Sequence, residues 1–166
     1  MHELAPFSPA ELAAIRLGLE EINERRLILL PPTSAIERLL ALWGQTAAAP
    51  EPGESRWEAG ETALGMPRAL ADRLSAVAKW PEGALWPIAM TEGFTAASRD
   101  VAPSLRNSLL EAILHISLMP TQPMGETVKP LIGMLNGLWR YRLGNSRLVY
   151  RPDTEVKRVA VVTLIP

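Results

Sequence analysis

The sequence predicts an α+β fold. Residues 84–166 read as a β-α-α-β-β-β unit with an antiparallel sheet, and residues 1–83 as a helical N-terminal extension. Three observations predict this. A tight hairpin is written into 138–150, where two alternating runs flank Gly144-Asn145, a pair suited to a two-residue turn. Helix-start signals recur in the first third of the chain. Charge also divides: 1–83 carries 8 basic and 12 acidic side chains (net −4), whereas 84–166 carries 9 and 6 (net +3).

In chain order, Ser8-Pro9-Ala10-Glu11 is a capping box with proline in the first turn, and Leu12, Ile15, Leu19 and Ile22 follow at helical spacing. Pro31-Pro32 ends that segment. Ser34 to Glu37 repeats the capping pattern ahead of Ile36, Leu39, Leu40 and Trp43, with Gly44 closing the helix. The two helices are expected to form a hairpin with an apolar seam. Residues 45–66, rich in Ala, Pro, Glu and Gly, read as a linker or irregular loop, with Trp57 alone among acidic neighbours. Pro67 opens a third helix with Leu70, Leu74 and Val77 on one face. Trp80 to Gly83 ends it and marks the expected domain boundary.

Residues 85–90 read as a first strand, 94–101 as a short helix and 103–118 as a longer one. His115 in that helix reads as structural, as a lone helical histidine usually is. Residues 120–130 are expected to be a loop leading to Leu131 and Gly133, and 156–165 the last strand, after the hairpin.

The hairpin carries the functional signal. With a two-residue turn, Leu143 pairs with Ser146 and Arg142 faces Arg147; Arg140 then faces Val149 and Trp139 faces Tyr150. Side chains alternate between the faces of a strand. One face therefore holds Trp139, Tyr141, Leu143, Leu148 and Tyr150, and the other Arg140, Arg142 and Arg147. Like charges placed opposite one another repel. Such a face is either ordinary solvated surface or one neutralised by an anionic ligand, and guanidinium suits phosphate. Lys129 and Arg151 extend the cationic stretch: residues 129–158 hold 7 basic and 2 acidic side chains, net +5. A basic end on an acidic remainder implies a polyanion partner, or attraction between the two halves.

Composition excludes other classes. There are no cysteines, so disulfide and thiolate chemistry are out. With only His2 and His115 there is no metal cluster, and no phosphate-binding glycine loop or serine-nucleophile motif occurs, so neither metal nor cofactor is expected. No apolar run is long enough to span a bilayer and no signal-peptide pattern opens the chain, so a cytoplasmic location is the expectation. A helix-turn-helix docking mode is disfavoured, since the second helix has one basic residue, Arg38.

With the element order and these motifs in place, residues 84–166 resemble the RelE/ParE superfamily of toxins from type II toxin-antitoxin systems. The matching runs are Lys129-Pro130-Leu131 with Gly133, then 137–144 (Gly-Leu-Trp-Arg-Tyr-Arg-Leu-Gly), then Arg147-Leu148-Val149-Tyr150. The resemblance implies one of two activities: ribosome-dependent cleavage of mRNA, or non-nucleolytic poisoning of DNA gyrase. For the first it implies that Arg140, Arg142 and Arg147 are catalytic, stabilising charge on the scissile phosphate as the 2′-hydroxyl attacks, with Lys129 and Arg151 binding phosphate or RNA. It also implies an antitoxin partner. In the family a further Arg and a C-terminal Tyr follow the last strand. This sequence ends at Pro166, where they would begin, which favours the non-nucleolytic readings. One of those is a silent module whose basic sheet binds an acidic partner or residues 1–83, the latter acting as a built-in antitoxin.

Overall fold

The computed structural model describes residues 7–45, 66–81 and 83–166. The expected loop at 45–66, save its two end residues, lies outside them, as does Trp57.

Six strands form one sheet in the order β1-β2-β6-β5-β4-β3. Helix α1 (Pro9–Asn23) begins at the predicted capping box: Ser8 Oγ accepts from the Glu11 amide at 3.1 Å, and the Ser8 amide donates to Glu11 Oε1 at 2.7 Å. Strand β1 (Leu27–Leu30) follows after a turn that holds Arg25 at φ 60. Next come α2 (Pro32–Leu42) and α3 (Arg68–Val77). Strand β2 (Ile88–Thr91) leads into α4 (Glu92–Arg99), a 3-10 turn and α5 (Arg106–Leu118). The remaining strands are β3 (Val128–Pro130), β4 (Trp139–Leu143), β5 (Ser146–Asp153) and β6 (Arg158–Ile165).

The α+β class and the order strand, helix, helix, strands hold from residue 88 onward. The hairpin register is the expected one throughout: Leu143 with Ser146, Arg142 with Arg147, Tyr141 with Leu148, Arg140 with Val149 and Trp139 with Tyr150. The turn residue Gly144 sits at φ 58, where a side chain would be strained.

Four expectations are corrected. The second helix starts at Pro32, with Pro31 as its cap residue and no side-chain cap, so Ser34 lies inside it: proline suits the first helical position and opens this helix instead of only ending the segment before it. The sheet is mixed rather than wholly antiparallel, because β2 runs parallel to β6. The long helical crossover after β2 permits this pairing, which a short turn cannot make. Residues 120–130 are not all loop: 128–130 form β3, antiparallel to β4. Helices α1 and α2 do not form a hairpin. Strand β1 lies between them, antiparallel to β2, and sends them to opposite faces of the sheet. Its run Leu-Ile-Leu-Leu continues the helical apolar pattern, and a run this short does not distinguish strand from helix by periodicity.

The two faces of the sheet are covered differently. One carries α2, α3, α4 and α5 over a broad apolar core, including Ile88, Met90, Leu148, Tyr150, Val159 and Val161. The other carries α1, whose Ile15 and Ile22, with Phe7, pack on Ala89, Val149, Ala160, Val162 and Ile165. Residues on both sides of position 83 thus share one sheet and one core.

Candidate cationic face

Every basic residue singled out in the sequence lies on the α1 face. Arg142 and Arg147 are directly paired across the hairpin. Lys129 pairs with Arg140, and Arg151 with Ala160, which belongs to the apolar cluster under α1. Alternation of side chains therefore places Lys129, Arg140, Arg142, Arg147 and Arg151 together. Arg158, opposite Asp153 at the far end of β5, joins them. It was legible only as part of the basic stretch, since its place depends on an irregularity at Val149/Tyr150 that resets the register.

Lys129, Arg147, Arg151 and Arg158 of this face each pair with a carboxylate, and Arg140 and Arg142 with main-chain carbonyls. Arg147 Nη2 donates to Glu11 Oε2 of α1 at 2.6 Å, and its guanidinium lies 4.5 Å from the centre of the Phe7 ring. Both charged side chains are largely covered, at 17% and 22% exposure. The Ser8 amide, its largest influence, holds the Glu11 carboxyl below the usual carboxylate range; burial opposes this, and the charge and hydrogen bond of Arg147 add to it. At the open edge Lys129 pairs with Glu126 at 2.6 Å, and Arg140 donates to the Glu126 carbonyl at 3.0 Å. Glu126 is also held low, chiefly by the hydrogen bond and charge of Lys129, with smaller pulls from Arg140 and Arg142. Exposed Arg142 reaches the Gly144 carbonyl at 3.4 Å. At the other end Asp153 accepts from Arg151 at 2.8 Å and from Arg158 at 3.1 Å. Residues 129–158 alone carry a surplus of positive charge; folding brings Glu11 and Glu126 into it.

The grip of α1 on this face is uneven along the helix. At Gly18 a Cβ would run into the carbonyl oxygen of Val162, so helix backbone rests on strand backbone. Glu21, almost fully buried, accepts from the Gly93 amide at 3.2 Å, in the first turn of α4, where a carboxylate also meets the positive helix end. Ile15 and Ile22 are buried, each worth about 1.5–3 kcal/mol relative to exposure. The first turn is held by less. Its cap is worth about 1 kcal/mol, and a partly covered ion pair about 0.2–1 kcal/mol after solvent screening. Burial of Phe7 is its largest anchor.

His115 stands apart. It lies in the helix-covered core with its ring edge-on to Tyr141, centroids 5.6 Å apart, and burial lowers its pKa. Tyr141 and Tyr150 are on that same side, as the hairpin alternation requires. The Tyr150 hydroxyl is fully buried without a partner, and burial raises its pKa strongly. Among the described residues no cluster of His, Asp or Glu is arranged to hold a metal ion, and no helix is long and apolar enough to cross a membrane.

Fold and site define an α+β protein with a cationic sheet face partly covered by its own N-terminal helix. No family model and no curated protein matches the chain. Among solved structures, a chain of the toxin-antitoxin complex RelBE2 from Mycobacterium tuberculosis is similar over 45% of this chain and 89% of that chain, at 25% identity and a TM-score of 0.39.

Proposed function

We propose that this chain is a toxin-type module whose cationic sheet face binds the phosphodiester backbone of RNA. The observation that carries this reading is the direct pairing of Arg142 with Arg147, with Arg140 and Lys129 next to them on the same face. Paired cations on neighbouring strands repel; Glu11 offsets this at Arg147 in the free protein, and a phosphate placed between the two guanidinium groups would offset it at both.

Arginine stays protonated and cannot serve as a base. The role assigned to Arg140, Arg142 and Arg147 is electrostatic. As a ribose 2′-hydroxyl attacks the adjacent phosphorus, negative charge builds on the non-bridging oxygens, and fixed guanidinium groups stabilise it. The P–O5′ bond then breaks and the leaving 5′-oxygen takes a proton from solvent or a group of the ribosome, giving a 2′,3′-cyclic phosphate and a 5′-hydroxyl. The proton lost by the 2′-hydroxyl passes to solvent or to a group of the ribosome, which also positions the nucleophile. Lys129 and Arg151 contribute phosphate contacts on either side.

A second reading has its own observation. Glu11 already occupies Arg147, and Glu126 and Asp153 occupy their neighbours, which fits a module that is quiet in this conformation and uses its basic face for internal contact. Expression of the full chain and of Arg142→Ala separates the two. Growth arrest with ribosome-dependent mRNA cleavage, both lost in Arg142→Ala, supports the nuclease. Binding of single-stranded RNA without cleavage leaves an RNA-binding module, and neither binding nor cleavage supports the quiet one.

A further inference from the structure

The first turn of α1 sits on the cationic face much as an anionic ligand would. Glu11 divides its carboxylate: Oε1 accepts from the Ser8 amide at 2.7 Å and Oε2 from Arg147 at 2.6 Å. The same group therefore closes the helix cap and neutralises the sheet, so unwinding this turn releases both together. Phe7 lies against the same guanidinium. From Leu12 onward the helix is fixed by other means: Gly18 against Val162, Glu21 on the Gly93 amide, and Ile15 and Ile22 in the core. The first turn thus depends on Glu11 and on burial of the single side chain of Phe7, the rest of the helix on several separate contacts, and the boundary between them falls just after Glu11.

We infer that residues 7–11 form a built-in gate over Arg147, whose Glu11 carboxylate a phosphodiester displaces while the rest of α1 stays docked. The inference rests on the polyanion reading of the face. It differs from removal of the whole N-terminal region, which would strip the apolar cluster under α1. In the closed state RNA meets exposed Arg142 and the partly covered Lys129 and Arg140, which Glu126 holds beside it. In the open state Arg147 joins them as a further phosphate contact.

The test uses the full chain and its Glu11→Gln variant. Glutamine serves in a capping box as glutamate does, so the turn is kept while the Glu11 charge on Arg147 is removed. Binding of fluorescein-labelled single-stranded RNA is followed by anisotropy over a salt series, with thermal melting as a check on folding. Glu11→Gln is expected to bind at least about 5-fold tighter, with its salt slope steeper by about 0.7, the value for one added phosphate contact on a single strand. The gain is expected to vanish when Arg147→Gln is added. Phe7→Leu, which keeps an apolar side chain but removes the ring from the guanidinium, is expected to shift affinity in the same direction by less, and stands in if Glu11→Gln does not fold. Equal RNA affinity of the full chain and Glu11→Gln, or a gain that survives Arg147→Gln, overturns the gate and leaves the polyanion reading intact. No RNA binding by either protein overturns that reading, and the gate with it.

Discussion

The two faces of this sheet solve the burial problem differently. On the helix-covered face, side chains of β2, β4, β5 and β6 meet α2, α3, α4 and α5 in a continuous apolar core. On the other face one helix does the covering, and the strands beneath carry cations as well as apolar groups. The first face is organised by packing, the second by packing beneath α1 and by charge around it. A cationic surface can therefore persist on a sheet whose other side is an ordinary core, provided the charges lie where the covering helix stops.

The largest expected effect sharpens this contrast from the packed side. Leu148→Ala, fully buried next to Tyr150, is expected to cost about 2–5 kcal/mol in urea unfolding, whereas Arg142→Ala, exposed on the cationic face, is expected to change stability by no more than about 0.5 kcal/mol. A similar cost for both would break the distinction between the faces.

Gly18→Ala comes next. Alanine favours a helix by about 1 kcal/mol over glycine, yet here its Cβ meets the Val162 carbonyl, and overpacking of this kind costs about 1–3 kcal/mol. The expected outcome in urea unfolding is net destabilisation; a stabilised Gly18→Ala would mean that α1 does not rest on β6.

Acid should act through Glu11. Its folded pKa lies below the ordinary 4.5, so the unfolded chain takes up the proton first as pH falls. The stabilisation is therefore complete above pH 4.5 and is lost as pH drops through the lower, folded value. Melting curves of the full chain and Glu11→Gln should differ most at neutral pH and converge below 4.5. A gap independent of pH would show that the carboxylate charge does not hold the turn.

The smallest effect is Tyr150→Phe. Its hydroxyl is buried with no partner, so removing it is expected to leave stability unchanged or raise it by up to about 1 kcal/mol. A loss would reveal a buried water or another partner for that oxygen.

The hairpin and its two faces were legible in the sequence because a two-residue turn fixes register, and register fixes which side chains share a face. The capping box of α1 was legible for the same reason: its partners are three residues apart. Strand β1 was not, because Leu27 to Leu30 prolongs an apolar pattern already read as helix. The place of α1 on the cationic face was expected only in outline, from the charge split. The pair that anchors it joins positions 136 residues apart, and no local pattern marks Glu11 as anything more than a capping residue. Glu126 was similarly hidden, since its role follows from the pairing of β3 with β4.

Proton NMR of the full chain with labelled arginine reports whether the first turn of α1 lies on Arg147. Cross-peaks are expected between the Phe7 ring and the Arg147 side chain, with an Arg147 guanidinium that exchanges more slowly with water than that of Arg142. Absence of those cross-peaks, with both guanidinium groups exchanging at the same fast rate, would contradict that placement.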